Sequence, residues 1–140
     1  MSTKETNPYL PNDCRTVTLD AITADVAEGS AEIIECAGAT AIMIQITAAD
    51  INNRQCDFTV YVSNDGETFE QYNMLFNNEI NDETENLTRV ATLNQTADGT
   101  DVLWFTPETL GAITHLKVVA DVTDAGSPAG TFTVKVSVRT

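Results

Sequence analysis

The sequence contains few of the residues on which catalysis, nucleic-acid binding and zinc binding usually depend. It has one histidine, His115, and only seven lysines and arginines against 21 aspartates and glutamates, for a net charge of −14. Phosphate groups are bound by clustered bases, so we expect neither nucleic acid nor an anionic membrane as a partner. The cysteines, Cys14, Cys36 and Cys56, are odd in number and lack Cys-x-x-Cys spacing. This predicts reduced thiols rather than a zinc site.

Long apolar runs and catalytic motifs are absent as well. The longest apolar stretch, 39–46, is far too short to cross a bilayer, and the polar N-terminus does not resemble a signal peptide. We therefore expect synthesis in a cytoplasm without an export signal. The chain has no Gly-x-Ser-x-Gly elbow, phosphate loop or dinucleotide fingerprint, and most of its carboxylates fall in turns. We predict that the protein is not an enzyme and interpret His115 as an ordinary strand residue.

Apolar and polar residues alternate with a period of two along much of the chain, which indicates half-buried strands. The pattern is clearest at 42–46, 58–62, 116–122 and 131–139. It is weaker at 15–19, 32–36, 69–76, 88–93 and 102–105. About nine such strands on one core predict an all-β fold, a single antiparallel β-sandwich or jelly-roll domain over 15–140, preceded by an N-terminal arm over 1–14. Phe58, Phe132 and Trp104 are expected in the core.

Turn-forming residues separate these segments. Asn64-Asp65-Gly66 predicts a tight hairpin, and further turns are expected at 98–99 and 124–128. Residues 106–111 predict one short helical turn, with Thr106 as its cap and Pro107 at its first position. The polar stretch 77–86 predicts an exposed loop.

Loop oxygens offer the one candidate metal site. Asn64, Asp65 and Glu67 form a group that could hold calcium, and Asp121 and Asp124 form a second. Neither group has EF-hand spacing, and Asn and Asp also favour turns for their own sake. Turn formation is the preferred interpretation, and no other cofactor is expected.

The segment from Phe58 to Phe69, FTVYVSNDGETF, resembles a hairpin of galactose-binding-like (discoidin) jelly rolls. That resemblance implies sugar binding through loop aromatics, often with a structural calcium. A carbohydrate-binding module or adhesin domain is therefore one hypothesis, with Tyr61, Tyr72 and Trp104 as its candidate aromatics. An extracellular filament subunit is another, although it would require export.

A longer resemblance covers roughly residues 57–139. The order VSNDGETFEQYNML, LTRVATLN and LWFTPETLGAITHLKVVADVTDAGSPAGTFTVKVSV is similar to small phage virion proteins. It implies a structural protein of a particle, such as a capsid decoration or cement subunit, without catalytic residues. Strong acidity would repel packaged DNA, which favours the outer surface of the virion.

The expected partners are further copies of this chain, other virion proteins such as a major capsid protein, or both. We expect contacts through the arm and through 131–139 as an edge strand. The candidate interface residues are Thr3, Lys4, Asn7, Pro8, Tyr9, Leu10, Thr131, Thr133 and Lys135.

Overall fold

The fold is a single antiparallel sheet, seen in a computed structural model that describes residues 3–6, 14–81, 84–105 and 110–140, with side chains for 14–74, 90–105 and 110–140. Within these residues ten strands join in the order β1-β2-β10-β4-β9-β6-β7, with β3 paired to β10 and with β5 and β8 paired to β4. The strands are β1 (Thr3–Thr6), β2 (Cys14–Thr18), β3 (Ile34–Glu35), β4 (Ala41–Ser63), β5 (Glu70–Tyr72), β6 (Met74–Asn81), β7 (Thr84–Val90), β8 (Leu93–Gln95), β9 (Gly99–Trp104) and β10 (His115–Arg139).

The expected all-β class is confirmed, but the expected nine-strand sandwich is replaced by one curled, half-barrel sheet. The difference arises from β4 and β10, which have 23 and 25 residues, whereas ordinary strands have about five or six. Each merges two of the strands that the alternation predicts. The two pair with each other from His115↔Ser63 to Arg139↔Ala41, forming one long ribbon.

The ribbon bends near its middle, where the pairing register shifts between Asp124 and Ala129 and again between Ala129 and Thr131. The turn predicted at 124–128 is therefore a bulge within β10 and does not reverse the chain. Asp50 and Asn53 have φ of 56° and 53°, and Gly130 has a φ of 96°. Bulged and left-handed residues of this kind increase the twist of a strand and let a sheet curl.

The bend brings the two halves of the ribbon together around one core. Phe58 in the second half (54–63 with 115–124) meets Phe132 in the first half (41–49 with 131–139), with ring centroids 5.7 Å apart and an interplanar angle of 71°. Both rings are almost completely buried, and Ile44, Ile46, Val134 and Val136 are fully buried with them. The inward residues of both halves therefore form the core that the alternation predicts.

The segment between β2 and β3 follows the outer edge of β10 around this bend. Ile22 and Phe132 form an isolated β-bridge in which each N–H donates to the other residue's carbonyl, and Val26 and Ala120 form a second such bridge. Between these bridges, the N–H of Val122 donates to Asp25 Oδ1 at 2.7 Å. Both long edges of β10 are consequently occupied, one by β4 and the other by β2, this segment and β3.

Two polar stretches are strands in the structure, although the sequence pattern predicts an arm and a loop. The backbone of 3–6, predicted as an arm, is the edge strand β1, which pairs with β2 from Thr3↔Thr18 to Thr6↔Arg15. Most of 77–86, predicted as a loop, lies in the β6–β7 hairpin. The helical turn predicted at 106–111 falls largely outside the described residues. No helix in the described chain is long and apolar enough to cross a bilayer.

Candidate functional site

The loop between β4 and β5 contains the predicted metal ligands, and hydrogen bonds within the chain already occupy its central carboxylate. Asp65 Oδ1 accepts from the N–H groups of Glu67 and Thr68 at 2.8 and 2.9 Å, and from the hydroxyl of Ser63 at 2.8 Å. Gly66, with a φ of 82°, completes the turn. These contacts lower the pKa of Asp65 to about 2, with the Thr68 N–H as the largest cause. The hairpin prediction is confirmed, and the geometry is that of an Asx turn.

We expect this turn to make the stability of the fold depend on acid pH. The ordinary pKa of Asp65, 3.8, lies above its folded value of about 2, so the ionised carboxylate stabilises the fold above that range. The contribution is lost as the pH falls towards 2. In Asp65→Asn the amide oxygen keeps the acceptor without titrating, so urea midpoints should fall less between neutral pH and pH 2 than in the unsubstituted chain. Parallel profiles for the two proteins would contradict this account.

Within the described side chains, no three His, Cys, Asp or Glu residues gather as metal ligands. Asn64 and Glu67 are both exposed beside Asp65. Of the second candidate group, Asp124 is paired with Arg54, with Nε 2.8 Å from Oδ1. Arg54 Nη1 also donates to the carbonyl of Gly130 at 2.7 Å. Arg54 therefore connects Asp124 and Gly130 on either side of the bend and stabilises it. Calcium binding at either group stays a prediction.

The predicted contact strand is in the middle of the sheet. Thr131, Thr133 and Lys135 alternate with buried residues and therefore project from the outer face of β10, but β10 is flanked by β2 and β4 along 135–139. The expectation that 131–139 is an edge strand is wrong, because the sequence pattern of a central strand with one solvated face is the same as that of an edge strand. These three residues can contact a partner only through their side chains.

The two ends of the strand order are β1 and β7, and each pairs on one side only within the described chain. Thr3 and Lys4 of the predicted interface belong to β1, where they pair with Thr18 and Val17. Asn7, Pro8, Tyr9 and Leu10 lie outside the described residues. An edge strand presents unpaired N–H and C=O groups, which makes it a template for another strand.

The three candidate aromatics take different places. Trp104, expected in the core, is only partly buried and pairs across strands with Met43, which is 40% exposed on the outer face. Its neighbour Leu103 is buried instead. The inward face of β9 is therefore shifted by one residue from the one that was expected. Tyr72 stacks on Phe105 with ring centroids 4.7 Å apart. Tyr61 is partly buried on β4 opposite Lys117.

Two residues hold loops against the outer face of the second half of the ribbon. Lys117 is 7% exposed; its Nζ donates to the carbonyl of Glu28 at 2.8 Å and sits 4.2 Å from the ring centroid of Phe69. His115 packs on Gly66, where an added Cβ would lie 3.0 Å from its ring. Both roles are structural.

Buried thiols account for two of the three cysteines. Cys36 and Cys56 are buried and free, and Cys14 is free and partly buried. Burial raises the pKa of Cys36 to about 11 and that of Cys56 to about 12. Neither buried thiol is therefore ionised near neutral pH, and ionisation is what thiol nucleophiles and metal ligands require.

The sequence pattern did not indicate a pocket of about 330 Å³ between the segment 19–32 and the sheet. Its apolar lining comes from Leu19, Ile22, Val26 and Val118, and its polar lining from Asp20, Ser30 and Glu32. No strand periodicity runs through 19–33, and the residues meet only because the segment follows β10. The only available signal was the presence of Leu19, Ile22 and Val26, three large apolar residues, in a segment without strand periodicity.

Comparison with known proteins gives a likeness of fold. No protein-family model matches the chain, and no curated protein matches it either. Among solved structures, the crystal structure of the SPBc2 prophage-derived protein YomS matches with a TM-score of 0.57 and 15% sequence identity. The match covers 96% of this chain and 99% of that one. The fold is therefore similar to that of a phage protein along nearly the whole length, which agrees with the phage resemblance of the sequence. This match supports the phage resemblance; it does not support the finer resemblances to capsid decoration proteins or to discoidin jelly rolls.

Proposed function

We propose that the protein is a non-enzymatic structural subunit of a phage particle that acts through protein–protein contacts. The observation that supports this most is the full-length likeness of its fold to a prophage-derived protein. A capsid decoration or cement protein on the outer surface of the virion is the specific form that we favour, because a net charge of −14 would repel packaged DNA.

The arrangement of the sheet supports contacts made by strand edges. The edge strands β1 and β7 stand at opposite ends of the strand order, so each can accept another strand without disturbing the central ribbon of β4 and β10. Strand addition of this kind supplies affinity through main-chain hydrogen bonds. In this proposal the contacts are made by β1, which belongs to the predicted arm, because 131–139 is not an edge strand.

The proposal predicts a loss of assembly when the arm is removed. We expect the full chain to form a defined oligomer, measured as its mass by light scattering, and a chain lacking residues 1–13 to be a folded monomer. The physical reason is that deletion removes β1 while leaving the core ribbon intact. A chain with Gln45→Ala, changed on the outer face of the central strand β4, serves as the control that keeps β1 and the oligomer. Circular dichroism checks that both variants fold. Normal assembly of the truncated chain would refute the role of the arm.

A further inference from the structure

The pocket beside β10 has an apolar interior with a polar rim. Its volume is about 330 Å³, and Ile22 and Val118 in its lining are 6% and 2% exposed. Leu19 and Val26 extend the apolar surface and are partly buried. Cavities of this size and character typically hold one apolar group, with a few polar groups fixing its orientation.

Contacts at both ends of the segment hold the pocket open in advance of any ligand. The N–H of Leu19 donates to the carbonyl of Val134 at 2.9 Å, and the bridge between Ile22 and Phe132 follows. At the other end the N–H of Ala31 donates to the carbonyl of Ala27 at 2.9 Å and closes a turn. Lys117 Nζ holds this turn on the sheet by donating to the carbonyl of Glu28. A preformed cavity needs little ordering on binding, which favours affinity.

The rim of the pocket is acidic, and Lys117, the basic residue nearest to the lining in sequence, is bound to other groups. The side chain of Glu32 is exposed and makes no hydrogen bond or ion pair with the described part of the chain, whereas Asp20 already takes part in an interaction. Lys117, next to Val118, is held by the Glu28 carbonyl and the Phe69 ring on the outer face.

We propose that this pocket receives a lysine or arginine side chain from a partner protein. The methylene groups of that side chain would pack on Leu19, Ile22 and Val26 while its cation meets Glu32, as long basic side chains commonly arrange themselves. This chain carries only seven lysines and arginines against 21 acidic residues, so a different, more basic protein is the partner that best complements the acidic rim of the pocket. The inference rests on the proposed function in one respect: that partner is another protein of the particle.

The test uses the full chain labelled with ¹⁵N and a blocked tripeptide, acetyl-Ala-Lys-Ala-amide, as the probe. We expect the amide resonances of 19–33 and of Val118 to shift, with saturation in the millimolar range at low salt. The matched probe, with norleucine in place of lysine, keeps the stem and lacks the cation, so it should bind more weakly. Glu32→Gln should weaken the lysine probe about two- to fivefold, the range of exposed ion pairs.

Charge reversal supplies the sharper variant. Glu32→Lys should abolish the shifts, and Glu70→Lys, the same change at an exposed site on β5, should leave them in place. Equal binding of the norleucine probe, unchanged binding to both Glu32 variants, or no shifts at 19–33 would each overturn the proposal. These outcomes are independent of the light-scattering result. Loss of probe binding in an assembling protein refutes the pocket alone, and probe binding by a protein that never assembles refutes the particle role alone.

Discussion

Replacing Gly130 by alanine should destabilise the fold by about 3–5 kcal/mol, measured as the free energy of unfolding in urea. Gly130 has a φ of 96°, a conformation that residues with a Cβ rarely adopt. An added Cβ would lie 2.5 Å from the Cα of Ile51 and 2.6 Å from the carbonyl oxygen of Asp50. Both neighbours are backbone atoms of β4, so no side chain can move aside. The ribbon bend would have to open.

The matched control is Gly29→Ala, in the turn over the outer face. An added Cβ there meets nothing within 4 Å, so its stability should change by no more than about 1 kcal/mol. Comparable losses in the two variants would show that the contact between β10 and β4 at the bend is not as close as described. If Gly130→Ala is too unstable for urea titration, its melting temperature gives the same comparison.

The sequence predicted the inward residues of the fold better than its connectivity. Phe58, Phe132 and the valines of 132–138 are buried as their alternation indicates, because side chains on a strand must face opposite sides of a sheet. The joining of two predicted strands into β10 could not be predicted. Asp124 to Pro128 contains the residues of a reversing turn, yet the pairing with β4 continues beyond it. Turn residues are compatible with a bulge as well as with a reversal, and only the partner strand decides between them.

Candidate site residues were predictable where the chemistry is local and not where it depends on distant strands. The Asp65 turn is encoded within six consecutive residues, Ser63 to Thr68, and was predicted. The partly buried, outward position of Trp104 depends on the register of β9 against β4, because a slip of one residue exchanges the two faces of a strand. The burial of Lys117 depends on Phe69 and on the turn containing Glu28, far apart in sequence. The pocket likewise requires Val118 to meet residues of the segment 19–32.

Replacing Phe132 by alanine should cost about 3–5 kcal/mol of unfolding free energy, because its side chain is fully buried and its removal leaves a cavity. The more informative quantity is its coupling to Phe58, since the two rings belong to opposite halves of the ribbon and touch only because the sheet curls. A double-mutant cycle with Phe58→Ala should give a coupling of about 0.5–1.5 kcal/mol. Phe58→Leu and Phe132→Leu provide a milder cycle if the alanine variants do not fold. Strict additivity in both cycles would mean that the rings do not meet. That result would contradict the curled arrangement of the sheet, and with it the pocket between the segment 19–32 and β10.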